Sequence, residues 1–84
     1  MRPRVPSPGD KDYEAVRRII DFLTRARQQF GFSQADVGLG SGYSTSGISE
    51  LESMKTPLVS LLTLVRYVDA MDMELHVTLR PKEK

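Results

Sequence analysis

Residues 33–52 limit the fold more than any other part of the chain, because they hold two helical segments too short to be stable alone. Ser33 is expected to cap a first helix over residues 34–39. Ser44 is expected to cap a second helix over residues 45–53. Isolated helices of this length are marginal in water. The two segments therefore need other elements to cover their apolar side chains.

Two further amphipathic helices supply that cover. Apolar residues recur at helical spacing over residues 12–30, and Gly31 is expected to end this long helix. Ser60 caps a last helix after a proline. The apolar residues expected to face the core are Val16, Ile19, Ile20, Leu23, Ala26 and Phe30 in the long helix and Leu61, Leu64, Val65, Val68 and Met71 in the last one. The sequence predicts a mainly α domain of four to five helices over residues 12–73.

The hydrophobic period changes from helical to alternating at residue 74. Leu75, Val77 and Leu79 alternate with polar residues, which predicts a half-buried strand over residues 74–80. No other segment reads as a strand, so this one needs a partner for its backbone. We expect a second copy of the chain to pair with it antiparallel and form a homodimer. The alternative is pairing with the Val5 region, where three prolines disfavour a ladder.

The two ends of the chain indicate no regular structure. Residues 1–11 contain three prolines and the basic residues Arg2, Arg4 and Lys11, which predicts a flexible basic arm. This arm either is a solvated terminus or lies along a polyanion. Residues 81–84 form a short tail.

Composition excludes several classes of function. The chain has no cysteine, and His76 is its one histidine, so we expect no metal, no cofactor and no enzymatic activity. The N-terminal residues do not resemble a secretory signal, and no apolar run approaches the roughly 20 residues of a membrane span. These features favour a cytoplasmic protein without a membrane partner. A net charge of +1 neither favours nor excludes DNA.

The central segment has a defined order of serine, glutamine, glycine, aliphatic and glutamate positions, namely Ser33, Gln34, Val37, Gly38, Gly42, Tyr43, Ser44, Ile48, Ser49, Leu51 and Glu52. This order resembles the helix-turn-helix of the phage-repressor (Cro-type, XRE) family. The resemblance implies a repressor-like DNA-binding domain, and it implies that Arg27 forms a structural ion pair with Glu52.

In this family the second short helix enters the major groove of DNA. Residues at the N-termini of both short helices contact phosphates. The resemblance therefore implies that double-stranded operator DNA is the partner. Ser33, Ser44 and Ser60 are also fully explained as helix caps. The DNA-binding residues that the resemblance and the polar face of the second helix indicate are Gln34, Ser44, Thr45, Ser46, Ser49, Glu50 and Lys55.

The chain departs from the family at three places. Residues 38–42 are rich in glycine, which predicts a fragile first short helix. Met54 and Asp72 stand where the family usually has glycine. Residues 33–52 contain three acidic residues and no lysine or arginine, so phosphate neutralisation must come from outside this segment.

The C-terminal segment makes the chain similar to HipB-like antitoxins, which are autorepressors and partners of a toxin. We therefore expect a sequence-specific, homodimeric DNA-binding transcriptional regulator, most simply a repressor, with a toxin protein as a further partner. The alternative is a protein-interaction module with a helix-turn-helix fold that binds a toxin or another protein instead of DNA.

Overall fold

The computed structural model describes residues 5–83 and contains four helices. They are α1 (Lys11–Gln29), α2 (Gln34–Ser41), α3 (Thr45–Ser53) and α4 (Leu61–Asp69). The mainly α class is confirmed, and the described residues contain no strand.

Three serines begin the last three helices, as their positions in the sequence predict. Each of them has an extended backbone, and its hydroxyl accepts a hydrogen bond from a backbone N–H of the first turn. The N···O distances are 3.0 Å at Ser33, 2.9 Å at Ser44 and 3.1 Å at Ser60. Such a cap stabilises a helix by about 1 kcal/mol, which matters most for short helices.

The helix α2 is longer than predicted. It does not stop at residue 39 but continues through Gly40 to Ser41, and it ends at Gly42, whose φ of 82° is left-handed. A Cβ atom on Gly40 would lie 3.0 Å from the Cβ of Ala70, just after α4. Gly40 therefore allows α2 to approach α4 closely, and this packing offsets the low helix propensity of glycine.

The core lies where the four helices meet. Its largest fully buried side chain is Tyr67 of α4, which the apolar pattern of the sequence does not single out. The buried cluster consists of Leu23, Val37, Ile48, Tyr67, Val68 and Met71.

The predicted core is wrong at several exposed positions. Leu61 and Val65 of α4 are 64% and 45% exposed, and Ile19 and Phe30 are 51% and 54% exposed. Each pair lies on a stripe beside the buried one of its helix. Because the apolar surface of each helix is wider than the single stripe that the core covers, the remaining apolar side chains face outward.

Met54 and Asp72 stand where the resemblance leads us to expect glycine. Both adopt a left-handed backbone, with φ of 56° and 59°. Met54 ends α3 and is buried, while Asp72 is exposed in the turn after α4. Both turns therefore have the geometry of a glycine-ended helix but carry a side chain that the left-handed region disfavours.

Part of the predicted flexible arm, from residue 7 onward, has a defined structure. Residues 7–10 form a turn in which the backbone N–H of Ser7 donates to Asp10 and the N–H of Asp10 donates to the Ser7 carbonyl, both at 2.9 Å. Lys11 already belongs to α1. Arg2 and Arg4 of the predicted arm lie outside the described residues.

The predicted strand over residues 74–80 is not formed within the single chain. Leu75 packs against the core, whereas Val77 and Leu79 are 70% and 95% exposed. Val5 is 49% exposed and forms no ladder with this segment. Pairing with a second copy stays a prediction.

Candidate nucleic-acid interface

The helices α2 and α3 pack tightly around the turn at residues 42–44. A Cβ atom on Gly38 would lie 3.0 Å from backbone atoms of both Tyr43 and Ser44. A hydrogen is therefore the only side chain that fits at Gly38 without moving the turn. The glycine-rich composition of α2, which predicts fragility, serves this close approach.

The polar side chains of α3 form one exposed face. Ile48, on the opposite side of the helix, is 1% exposed and anchors α3 in the core. The spacing of the polar residues at i, i+1, i+4 and i+5 keeps them together over the first two turns. The exposed residues of this reading face are Thr45, Ser46, Ser49 and Glu50.

Ser44 and Gln34 stand at the starts of the two short helices, but their side chains are already engaged. The Ser44 hydroxyl accepts from the N–H of Gly47, which leaves its own proton free to donate. The Nε2 of Gln34 donates to Oε1 of Glu52 at 3.0 Å, so its carboxamide is turned toward the protein. The backbone N–H of Asp36 donates to the Ser33 hydroxyl, so the N–H groups of Gln34 and Ala35 are the donors that remain for a phosphate at the start of α2.

Lys55 and Glu50 contact each other. The Nζ of Lys55 lies 3.3 Å from Oε1 of Glu50, and both side chains are mostly exposed. An exposed pair of this kind is weak and exchanges readily with solvent or another ligand. The predicted base-reading carboxylate and the predicted phosphate-binding amine therefore offset each other's charge.

Behind the reading face, Arg27 and Glu52 form a buried ion pair. Nε and Nη2 of Arg27 donate to the two carboxylate oxygens of Glu52 at 2.7 and 3.0 Å, and the side chains are 10% and 8% exposed. Tyr67 donates to Oε2 at 2.5 Å, and Gln34 donates to Oε1. With these four bonds the carboxylate joins the end of α3 to α1, α2 and α4.

This environment shifts two pKa values. Burial raises the pKa of the Glu52 carboxyl, but the hydrogen bonds that it accepts from Arg27, Tyr67 and Gln34 together keep it below its ordinary value of 4.5. Burial, followed by the hydrogen bond to Glu52, raises the pKa of the Tyr67 hydroxyl above its ordinary value of 10.0. Near neutral pH the carboxylate is charged and the phenol is neutral.

The burial of Glu52 changes the charge that the interface presents. Its negative charge is compensated by Arg27 and does not face the solvent. Glu50 is offset by Lys55. Asp36, the acidic member of the capping box with Ser33, is then the exposed acid of this segment that forms no ion pair within residues 5–83. Its carboxylate accepts from the N–H of Ser33 at 2.8 Å, and the hydrogen bonds with Ser33 lower its pKa.

The fold brings two basic residues from other helices, Arg66 and Arg17, to this region. Arg66 of α4 lies near the hydroxyl of Tyr43, whose pKa is lowered first by its hydrogen bond with Thr63 and then by Arg66. Arg17 of α1 donates to the backbone carbonyl of Glu52 at 3.2 Å. Both contacts join residues more than 20 positions apart, so the partner of each arginine does not follow from a local pattern.

Comparisons of the chain with family models, with curated proteins and with solved structures found no match. Within residues 5–83, no group of three or more His, Asp or Glu side chains could hold a metal ion. None of the helices in that range has the length and apolar character that crossing a bilayer requires.

Proposed function

We propose that this protein is a sequence-specific DNA-binding regulator of transcription that acts as a homodimer in the cytoplasm, most simply as a repressor. The observation that carries the proposal is the division of α3 into two faces. Ile48 is buried, while the four polar side chains of the reading face are exposed. A helix with a polar exposed face and a rigid attachment is what the major groove accepts.

The attachment of α3 supports the proposal. The carboxylate of Glu52 fixes the end of α3 to three other helices, and the cap at Ser44 fixes its start. Base recognition requires side chains held within a fraction of an ångström of their hydrogen-bonding geometry. In this proposal Thr45, Ser46 and Ser49 meet base edges, and Glu50 accepts from a cytosine amino group after release from Lys55.

Phosphate neutralisation comes from the residues around α3. Lys55 follows it directly, Arg66 lies near Tyr43 at its start, and the N-terminal arm and C-terminal tail add further basic residues. A dimer doubles this supply. We expect moderate affinity with a steep dependence on salt, because each phosphate contact releases counterions.

The test is fluorescence anisotropy with labelled duplex DNA from upstream of the gene over a series of salt concentrations. The protein should bind at low salt and lose affinity steeply as salt rises. The double variant Ser46→Ala/Glu50→Ala should change the preferred sequence while its circular dichroism and thermal unfolding stay close to those of the wild type. Unchanged preference in that variant would contradict the assignment of the reading face.

A second candidate function is binding to a protein, such as a toxin. The observation that favours it is the acidic character of residues 33–52, which contain no lysine or arginine. It predicts no DNA binding even at low salt, and loss of the protein partner when Asp36 or Glu50 is neutralised. The anisotropy experiment separates the two functions.

A further inference from the structure

An apolar surface surrounds the start of the C-terminal segment. A groove of about 330 Å³ lies on one side of this segment, between α1 and the end of α4. Its wall on α1 is exposed: Phe22 is 71% and Phe30 is 54% accessible. We call this groove the α1 groove; the residues that define it here are Phe22, Ala26, Phe30, Val68, Met71 and Leu75.

Leu75 also lines a second groove, whose other residues are Val65, Asp69, Met73 and Glu74. The two grooves share Met73, Glu74 and Leu75 and are therefore adjacent, with Val65 extending the apolar part of the surface onto α4. Val77 and Leu79, which follow in the chain, are 70% and 95% exposed. Large contiguous apolar patches mark interaction sites in proteins of this size.

We propose that a second copy of this chain covers the surface, with residues 74–80 of the two copies antiparallel about a two-fold axis at Val77, so that Leu79 of each copy enters the α1 groove of the other. This inference rests on the homodimer of the proposed function and defines its geometry. Each copy carries both a groove and the segment that fills it, which is the requirement for a closed two-fold interface.

Charge is compatible with the axis at Val77, and the backbone disfavours the two neighbouring registers. In this register Glu74 lies opposite Arg80 of the second copy, twice in the dimer, and opposite charges across two strands stabilise the pair. An axis at Thr78 would place Leu75 opposite Pro81, which has no N–H to donate. An axis at His76 would place Arg80 opposite Asp72, whose φ of 59° takes it out of the extended conformation.

The register also explains why the α1 groove is open. Leu75 lies in the groove of its own copy, and Leu79 of the second copy comes opposite Leu75. Opposite side chains in an antiparallel pair have Cβ atoms about 5 Å apart. Leu79 therefore arrives next to Leu75, where Phe22 and Phe30 form the remaining wall.

The absence of cysteine from the chain allows a direct test of the register. Single cysteines are introduced by Leu75→Cys, His76→Cys, Val77→Cys and Thr78→Cys in the full chain, and disulfide-linked dimer is measured after mild oxidation. Only the residue on the axis faces itself, so Val77→Cys should cross-link fastest and most completely. A maximum at another position would overturn the register, and monomer at every position would overturn the interface.

Charge reversal provides an independent test of the same register. Glu74→Arg and Arg80→Glu should each weaken self-association several-fold in analytical ultracentrifugation, because each creates two like-charge pairs. An equimolar mixture of the two variants should restore dimer formation, since each chain then meets the opposite charge. Equal dimerisation of all four samples, namely wild type, both variants and the mixture, would contradict the proposed pairing.

The groove is tested with Phe22→Ser, which should weaken the dimer and leave the fold intact because Phe22 is mostly exposed. Leu39→Ser is the matched control, since Leu39 is 88% exposed on α2 and lies outside the surface. Cross-linking at Val77 without DNA binding would support this inference and contradict the proposed function. DNA binding by a monomer would support the reading face of α3 but would contradict both this inference and the homodimer of the proposed function.

Discussion

Gly40 of α2 and Ala70 at the end of α4 approach so closely that a Cβ atom on Gly40 would lie 3.0 Å from the Cβ of Ala70 and 3.2 Å from its Cα. The contact joins the first short helix to the last helix of the domain. It also accounts for a glycine inside a helix, where glycine is about 1 kcal/mol less favourable than alanine.

We predict that Gly40→Ala lowers the free energy of unfolding in spite of its better helix propensity, because overpacking a close contact costs about 1–3 kcal/mol. Combining it with Ala70→Gly should recover much of the loss. Urea denaturation of the two single variants and the double variant gives the coupling energy, which should be about 1 kcal/mol or more.

Gly47 provides the matched control for this prediction. A Cβ there would come no closer than 3.4 Å to its neighbours, which is an ordinary contact. Gly47→Ala should therefore stabilise α3 by up to about 1 kcal/mol. If Gly40→Ala and Gly47→Ala had equal stabilising effects, the close contact between α2 and α4 would be refuted.

Substitution by glycine should change stability in opposite directions at Asp72 and Met54, the two non-glycine residues with a left-handed backbone. Asp72→Gly removes backbone strain from an exposed residue and should raise stability, by less than about 1 kcal/mol because glycine also increases the entropy of the unfolded chain. Met54→Gly removes the same kind of strain but also a side chain that is 4% exposed. It should lower stability by about 2 kcal/mol or more.

Thermal unfolding followed by circular dichroism checks both substitutions, since about 1 kcal/mol corresponds to roughly 4–8 °C in a domain of this size. Asp72→Ala serves as the control that keeps the strain and should not stabilise. A fall in Tm for Asp72→Gly would contradict the left-handed turn after α4.

The loss of folding stability as the pH falls below about 4.5 should depend on Glu52. Its folded pKa lies below the ordinary 4.5, so the folded state binds fewer protons than the unfolded state in this range. The contribution of Glu52 is therefore complete above about pH 4.5 and is lost as the pH falls through the lower folded pKa.

The variant Glu52→Gln should unfold more easily at pH 7, and its stability should change less between pH 5 and pH 3 than that of the wild type. Urea midpoints measured across this range provide the comparison. The exposed Glu83→Gln is the control and should follow the wild-type profile. Parallel profiles for Glu52→Gln and wild type would show that the buried pair does not control acid unfolding.

Asp36 should oppose DNA binding, because its charge lies at the start of α2, where a phosphate is expected. Asp36→Asn keeps an oxygen that can accept from the Ser33 N–H while it removes the charge. Affinity for duplex DNA at low salt should rise by roughly two- to five-fold, because a negative charge at a helix N-terminus competes with the phosphate for the same donors.

Asp12→Asn, in the first turn of α1, is the matched control for the net charge, and it should change affinity less than Asp36→Asn does. Anisotropy titrations at two salt concentrations make the comparison. Equal effects of the two variants would mean that only the total charge matters and that α2 does not approach a phosphate.

Much of the fold follows from local signals. The caps at Ser33, Ser44 and Ser60 depend on each serine and the N–H three residues later, and the structure has all three. The glycine stop at Gly31 is likewise local, and its φ of 82° is left-handed. Such features can be predicted because the residues that make them are neighbours in sequence.

The remaining features depend on contacts between distant residues. Periodicity identifies an apolar surface on α4 but does not say which stripe of it meets the core, so Leu61 and Val65 were expected inside and are exposed. The hydrogen bond that turns Gln34 toward Glu52 spans 18 positions, and that of Tyr67 spans 15. Which stripe is buried, and which distant side chains meet, depends on how whole helices pack against each other.

Selection of bound sequences from a library of random duplexes tests most directly whether α3 presents a reading face to DNA. We expect enrichment of a pseudo-palindrome whose half-sites are about one helical turn, roughly 34 Å, apart. Positions within each half-site should change in the Ser46→Ala/Glu50→Ala variant. Failure to enrich any sequence at low salt, or an enriched site that the variant reads identically, would show that α3 does not read DNA sequence.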